Sequence, residues 1–201
     1  MEGEDITEFE KTVDAYYSSV DFPEDVTMTF SSIGLKGQGF EETHILSFVS
    51  PSSQSLANLR ASLSGEKWEN YLDLVRPLVD NVRVSAGNAS KVFNAEEFYP
   101  IGQVWVFKVK SKYIPQFTVA FEKLMQTFDA PGFVGLANVT HGISNGENLL
   151  IYGTYPDLNS AFTFGPNNEA EAGAFAEFFN VTGEISEFTQ SWTRVKIQDY
   201  N

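Results

Sequence analysis

The sequence predicts an α+β protein built from two split-βαβ units in tandem, and three patterns carry that expectation. Strand-type alternation brackets Phe-rich helical stretches in the second half. The order of elements there is β-α-β-β-α-β. The first half repeats most of that order at a fixed offset.

Each element of the second half has a local reason. Gln103 to Lys110 alternates Trp105, Phe107 and Val109 against Val104, Val106 and Lys108, the period of a strand. Ile114 to Phe128 sets Ile114, Phe117, Phe121, Leu124, Met125 and Phe128 at helical spacing, with Pro115 suited to the first turn. Asp129-Ala130-Pro131-Gly132 stops that helix. Phe133 to Ile143 and Asn148 to Tyr155 read as two strands, with Asn145-Gly146 in their connection as a turn dipeptide. Asn168 to Asn180 is a Phe-rich helix, and Ser191 to Gln198 is the last strand. This is the ferredoxin-like order.

Moved along by 108 positions, the first half falls on the second. Ile6 meets Ile114, Phe9 meets Phe117, Asp21 meets Asp129, Pro23 meets Pro131 and Gly34 meets Gly142. Past the hairpin the offset becomes 105, which sets Pro51 on Pro156 and Ser55 on Ser160, as a shorter loop in the second copy would. A helix bearing Trp68, Tyr71, Leu72, Val75 and Leu78 answers the one bearing Phe175, Phe178 and Phe179. The expected domains are therefore repeat one over 1–98 and repeat two over 99–201. The strand at 103–110 maps to positions before Met1, so within these 201 residues repeat one is expected to lack its opening strand; a segment ahead of Met1, a strand from another chain, or a sheet one strand short would each account for it. An unpaired sheet edge is a liability, and a homo-oligomer that covers it is expected.

Composition narrows the function classes. The 201 residues hold 27 Asp and Glu against 13 Lys and Arg, a net charge of −14, with 18 Phe and no Cys. That charge opposes a nucleic-acid partner, whose phosphates need a basic footprint, and opposes electrostatic attachment to anionic lipid. No apolar run approaches the roughly 20 residues that span a bilayer, so no membrane partner is expected. The start Met1-Glu2-Gly3-Glu4-Asp5 is acidic, unlike the basic start of a signal peptide. A cytoplasmic location is the expectation. Without Cys there are no thiolate nucleophiles, Fe–S clusters or Cys-bearing zinc sites; no metal site and no cofactor are expected.

The pattern resembles the dimeric α+β barrel superfamily, including its antibiotic-biosynthesis monooxygenase-like and NIPSNAP-like groups. The residues that carry the resemblance are Val104–Lys110, Ile114–Phe128, the Pro131-Gly132 stop, the Phe133–Tyr155 hairpin leaving through Tyr152-Gly153-Thr154-Tyr155-Pro156, and Trp192-Thr193-Arg194-Val195. The resemblance implies an intrachain α+β barrel pseudo-dimer, with any ligand in an apolar cleft between sheet and helices. It fixes no chemistry, because that superfamily spans oxygenases, isomerases, haem enzymes and proteins without known activity.

Candidate site residues follow. His44 and His141 are the two histidines and the candidate catalytic bases, although a hydrogen-bonded or surface histidine is the commoner outcome. Trp105, Tyr152 and Phe107 are candidates to line a ligand cleft, or else ordinary core. Lys108, Lys110, Lys112, Arg194 and Lys196 lie on strands expected to be neighbours and could form a patch for an anion or another subunit. Gly142-Ile143-Ser144-Asn145-Gly146 has the letters of a nucleophile elbow, but it runs from strand to strand where that motif needs a helix. Gly34, Gly37 and Gly39 relax the first hairpin into a possible flap. The sequons at Asn88, Asn138 and Asn180 are too short to carry weight.

Two functions remain open. One is binding of a small apolar or aromatic molecule between sheet and helices, or a role in assembly, without assigned activity. The other is a cofactor-independent monooxygenase or isomerase on an aromatic or polyketide-like substrate, with His141, Trp105 or Tyr152 polarising it. Whether the protein is an enzyme is not decided by the residues. A cavity above about 300 Å³ with either histidine in its wall would favour catalysis.

Overall fold

A computed structural model describes residues 3–201, with the side chains described from Asp5 onward. Met1 and Glu2 of the acidic start lie outside the described residues.

Among the described residues thirteen helices and strands follow one another: α1 (Gly3–Tyr17), β1 (Thr27–Lys36), β2 (His44–Val49), α2 (Ser53–Ser62), α3 (Glu66–Val75), β3 (Ala86–Phe93), β4 (Ile101–Val109), α4 (Ile114–Met125), β5 (Val134–His141), β6 (Leu149–Tyr155), α5 (Leu158–Phe162), α6 (Glu169–Ile185) and β7 (Ser186–Tyr200). Short 3-10 turns precede α4 and follow α3. The two offsets carry α4 onto α1, β5 onto β1, β6 onto β2, α5 onto α2 and α6 onto α3. The second offset also carries 191–198 onto 86–93, where β3 stands.

The strands are ordered β2-β1-β7-β4-β6-β5-β3. The ladders β1–β2, β3–β5, β4–β6, β4–β7 and β5–β6 are antiparallel. Repeat two by itself runs β7-β4-β6-β5, the split βαβ order. In that order an opening strand of repeat one would pair with β2 and β3, and these are the two strands that end the sheet.

Packing groups the chain into two units. The first takes in the chain up to Ser32, Glu42–Val82 and Lys196–Asn201; the second takes in Ile33–Glu41 and Arg83–Val195. Packed units and sequence repeats are thus different partitions, since β3 and the tip of the first hairpin pack within the second unit.

In the first unit the period of α1 turns Phe9, Val13 and Tyr17 inward against Met28 and Phe30 of β1, Tyr71 of α3 and Tyr200 of β7. Val26, Leu59 and Leu63 extend this core under α2. In the second unit α4 buries Phe117, Ala120, Phe121 and Leu124, and α6 adds Phe178. These pack on Val109, Val134, Leu136, Leu149 and Ile151 of the sheet.

Local chemistry sets the element ends. Pro115 stands in the first turn of α4, where its missing N–H costs nothing. Asn168 caps α6 by accepting from the Glu171 N–H at 2.9 Å, and the buried Glu171 carboxylate accepts from the Asn167 N–H at 2.7 Å. This reciprocal cap answers two otherwise orphaned donors at the positive end of the helix. The other end of α6 passes straight into β7, with the Ser186 hydroxyl donating to the Thr182 carbonyl at 2.7 Å. Between β5 and β6, Gly142 at φ +70° has no room for a Cβ, which would lie 2.0 Å from the Val84 carbonyl oxygen. Asn148 then locks the strand start: its side-chain oxygen accepts from Val109 N–H at 3.0 Å, and its amide donates to the Val109 carbonyl at 2.8 Å.

The final helix and strand exceed their sequence limits. The helix expected to end at Asn180 continues to Ile185, and the strand expected over 191–198 covers 186–200. The intervening Val181-Thr182-Gly183 has weak helical propensity, which burial of Thr182 offsets; the buried Thr182 hydroxyl is satisfied by donating to the Phe178 carbonyl.

Candidate functional site

A groove of about 430 Å³ opens between α4 and α6 in the second unit. Its apolar lining comes from Pro115, Val119, Ala120 and Leu124 on α4 and from Ala174, Phe178 and Val181 on α6. The small side chains of Ala120 and Ala174 leave the space open on both sides. Gln116, Lys123, Thr127 and Glu177 supply its polar groups, and Lys123 and Glu177 bridge at 3.3 Å. The volume falls in the range of small-molecule sites. Its chemistry is that of apolar burial with a charged pair beside it. Neither histidine lines it.

His44 stands in the first unit with both ring nitrogens engaged. Nε2 lies 3.2 Å from Glu10 Oε1 and Nδ1 lies 3.0 Å from Thr43 Oγ1. The ring packs 5.0 Å from Phe9 and 5.6 Å from Phe30. This histidine joins α1 to β2. His141 is exposed at the end of β5, with Nδ1 2.9 Å from Thr140 Oγ1.

The ligand-cleft candidates lie on two faces of the sheet. Trp105 and Phe107 pack on the helix-covered core, 5.3 Å from Phe164 and 5.2 Å from Phe117. Tyr152 pairs across the ladder with Val104, the neighbour of Trp105, and so projects from the opposite face.

The basic residues are also dispersed. Lys108 is opposite Glu187 and Arg194 is opposite Gly102; six positions of strand separate them, about 20 Å. Lys108 lies 3.7 Å from Glu187, Lys110 is exposed, and Lys112 sits 4.6 Å from the Tyr113 ring. Lys196 belongs to the first unit and bonds Asp199 at 2.6 Å.

Arg194 differs from the lysines. It is 3% exposed, with its guanidinium 5.5 Å from the Phe98 ring and 5.4 Å from the Tyr152 ring, and it donates to the Tyr152 hydroxyl. Gly102 makes the room: a Cβ there would lie 2.6 Å from the Tyr152 oxygen and 2.8 Å from Arg194 Nε. Phe98 and Gly102 were not legible as site residues, since one is a loop aromatic and the other a lone strand glycine. Of the groove residues, Leu124 and Phe178 were legible only as apolar helix faces, and nothing along the chain marked them as facing one space.

Several tyrosines are shifted. Burial pushes the Tyr71 hydroxyl up to about 12, helped by Tyr16 and opposed by its hydrogen bond with Tyr17. Burial likewise raises Tyr17, Tyr155 and Tyr200, the last also through its bond to Asp14. Asp157 is lowered by the Ser160 backbone N–H that it caps at the start of α5. Among the described residues no three His, Asp or Glu side chains gather as a metal site, and no helix is long and apolar enough to cross a membrane.

Solved structures share this architecture. An "anthrone oxidase-like protein" superposes with a TM-score of 0.63 at 13% identity, covering 98% of this chain and 87% of its own. A protein named "putative monooxygenase" from Lactobacillus acidophilus NCFM gives 0.64 at 11% identity, over 98% and 90%. Another of that name from Fusobacterium nucleatum gives 0.64 at 11%, over 97% and 87%. The chain shares the fold of these proteins, a mixed α+β arrangement of helices on an antiparallel sheet, here with its elements repeated along one chain. No family model and no curated protein sequence matches the chain.

Proposed function

We propose that the protein binds a small apolar or aromatic molecule in the α4–α6 groove, without turning it over. The observation that carries this reading is the 430 Å³ volume with apolar side chains on both helices and no histidine in its wall. Burial of an apolar ligand supplies the affinity, at about 25 cal/mol per Å² removed from water, and catalysis would need a positioned base. The neutral dye Nile red tests it: fluorescence should rise saturably with the native protein and be lost in Val119→Trp, which fills the groove from a half-exposed position. Equal binding by the variant would place the ligand elsewhere and end this reading.

The alternative is a cofactor-independent monooxygenase or isomerase, supported by the names of the structural neighbours. Oxygen uptake with an anthrone decides between the two: the binding reading expects no rate above buffer. A cytoplasmic location and a homo-oligomeric state belong to this proposal as well.

A further inference from the structure

A cluster of polar and aromatic side chains lies on the face of the second unit's sheet away from α4 and α6. Across the β4–β7 and β4–β6 ladders, Val104 faces both Trp192 and Tyr152, and Gly102 faces Arg194. Directly paired residues project to the same side, so an indole, a phenol and a guanidinium share one stretch of this face. All three present hydrogen-bond donors. The Trp192 Nε1 atom is buried and meets no acceptor among the described residues. A buried donor of this kind calls for a partner, and a native structure normally supplies one.

We propose that Trp192, Tyr152 and Arg194 receive the anionic oxygen of an aromatic carboxylate or phenolate. The guanidinium supplies the charge and the indole N–H the missing hydrogen bond, and the Trp192 and Phe98 rings offer apolar contact to the ligand's ring. Phe40 covers the site, its ring 5.0 Å from that of Trp192, with Arg83 5.4 Å from the Phe40 ring on the other hand. Phe40 follows Gly39, at φ +85°, in a hairpin tip where Cβ positions at Gly34, Gly37 and Gly39 meet nothing within 4 Å. None of these residues lines the α4–α6 groove, so the site goes beyond the binding proposed there.

The test is a titration of the ¹⁵N-labelled full chain with 2-naphthoate, read at the indole N–H signals of its three tryptophans. One signal, identified as Trp192 by its absence in Trp192→Phe, should shift saturably. Methyl 2-naphthoate, which lacks the charge, should bind at least about tenfold more weakly, as should 2-naphthoate to Trp192→Phe. Phe40→Ala should bind faster, and Val119→Trp should bind as the native protein does. An unmoved Trp192 signal, equal affinity for acid and ester, or a response confined to Trp68 or Trp105 would overturn the proposal. Were Trp192→Phe not to fold, the acid–ester comparison on the native chain decides alone. Loss of binding in Val119→Trp would assign the ligand to the groove and overturn it too.

Discussion

At Gly102 the lack of a side chain is what lets Arg194 and Tyr152 meet over β4. Any Cβ there would fall inside van der Waals distance of both. Gly102→Ala is therefore expected to lose about 1–3 kcal/mol of stability, the usual cost of overpacking, measured by urea denaturation. Arg194 shows how poorly a residue's role can be judged by its charge alone. It alternates with Lys196 on one strand and looks like part of a basic face, yet it is buried between two rings while Lys196 is paired with Asp199. His44 is a parallel case, with Glu10 and Thr43 at its two nitrogens and phenylalanines around its ring.

At the scale of the elements, the helices of repeat two rest on different supports. α4 is held by its apolar face: Phe121 is 1% exposed and packs with Phe93 of β3. Phe121→Ala should cost about 3–5 kcal/mol, a core-cavity loss, and a near-neutral denaturation curve would contradict the assignment of that face. α6 owes its start to the Asn168–Glu171 cap. Asn168→Ala should cost about 1 kcal/mol, visible as a lower unfolding temperature with the fold intact. The period of apolar residues made both helices legible. The extension of α6 to Ile185 was not, because Thr182 is kept helical by burial, a tertiary effect without a periodic signature. α5 escaped for the opposite reason: five residues held by an Asp157 cap make too short a pattern.

For the molecule as a whole, its buried tyrosines are expected to make stability fall at alkaline pH. The Tyr71 hydroxyl is raised from 10.0 to about 12 in the native state. The unfolded chain therefore releases that proton first and holds fewer protons than the native one in this window. Stability is full below the unfolded value and falls as pH rises from 10 through about 12. Tyr17, Tyr155 and Tyr200 act in the same direction. Urea midpoints measured across this range should fall, and Tyr71→Phe should flatten the decline. The strand order has a different consequence: among the described residues β2 and β3 end the sheet. Light scattering should detect an oligomer if association covers such edges.

The sequence by itself determined the β-α-β-β-α-β order of the second repeat, the repetition at offsets 108 and 105, and the main helix faces. These are written in short-range periods and stop signals, which depend on neighbours along the chain. Only the tertiary structure decided which candidate side chains meet. A one-residue step on a strand sends Trp105 and Tyr152's partner Val104 to opposite faces, and six steps carry Lys108 away from Arg194. The groove arises where two alanines on separate helices face one space, and that the buried indole N–H of Trp192 meets no acceptor among the described residues is set only once its surroundings are folded. Burial and convergence are properties of three-dimensional neighbours, and no pattern along one chain contains them.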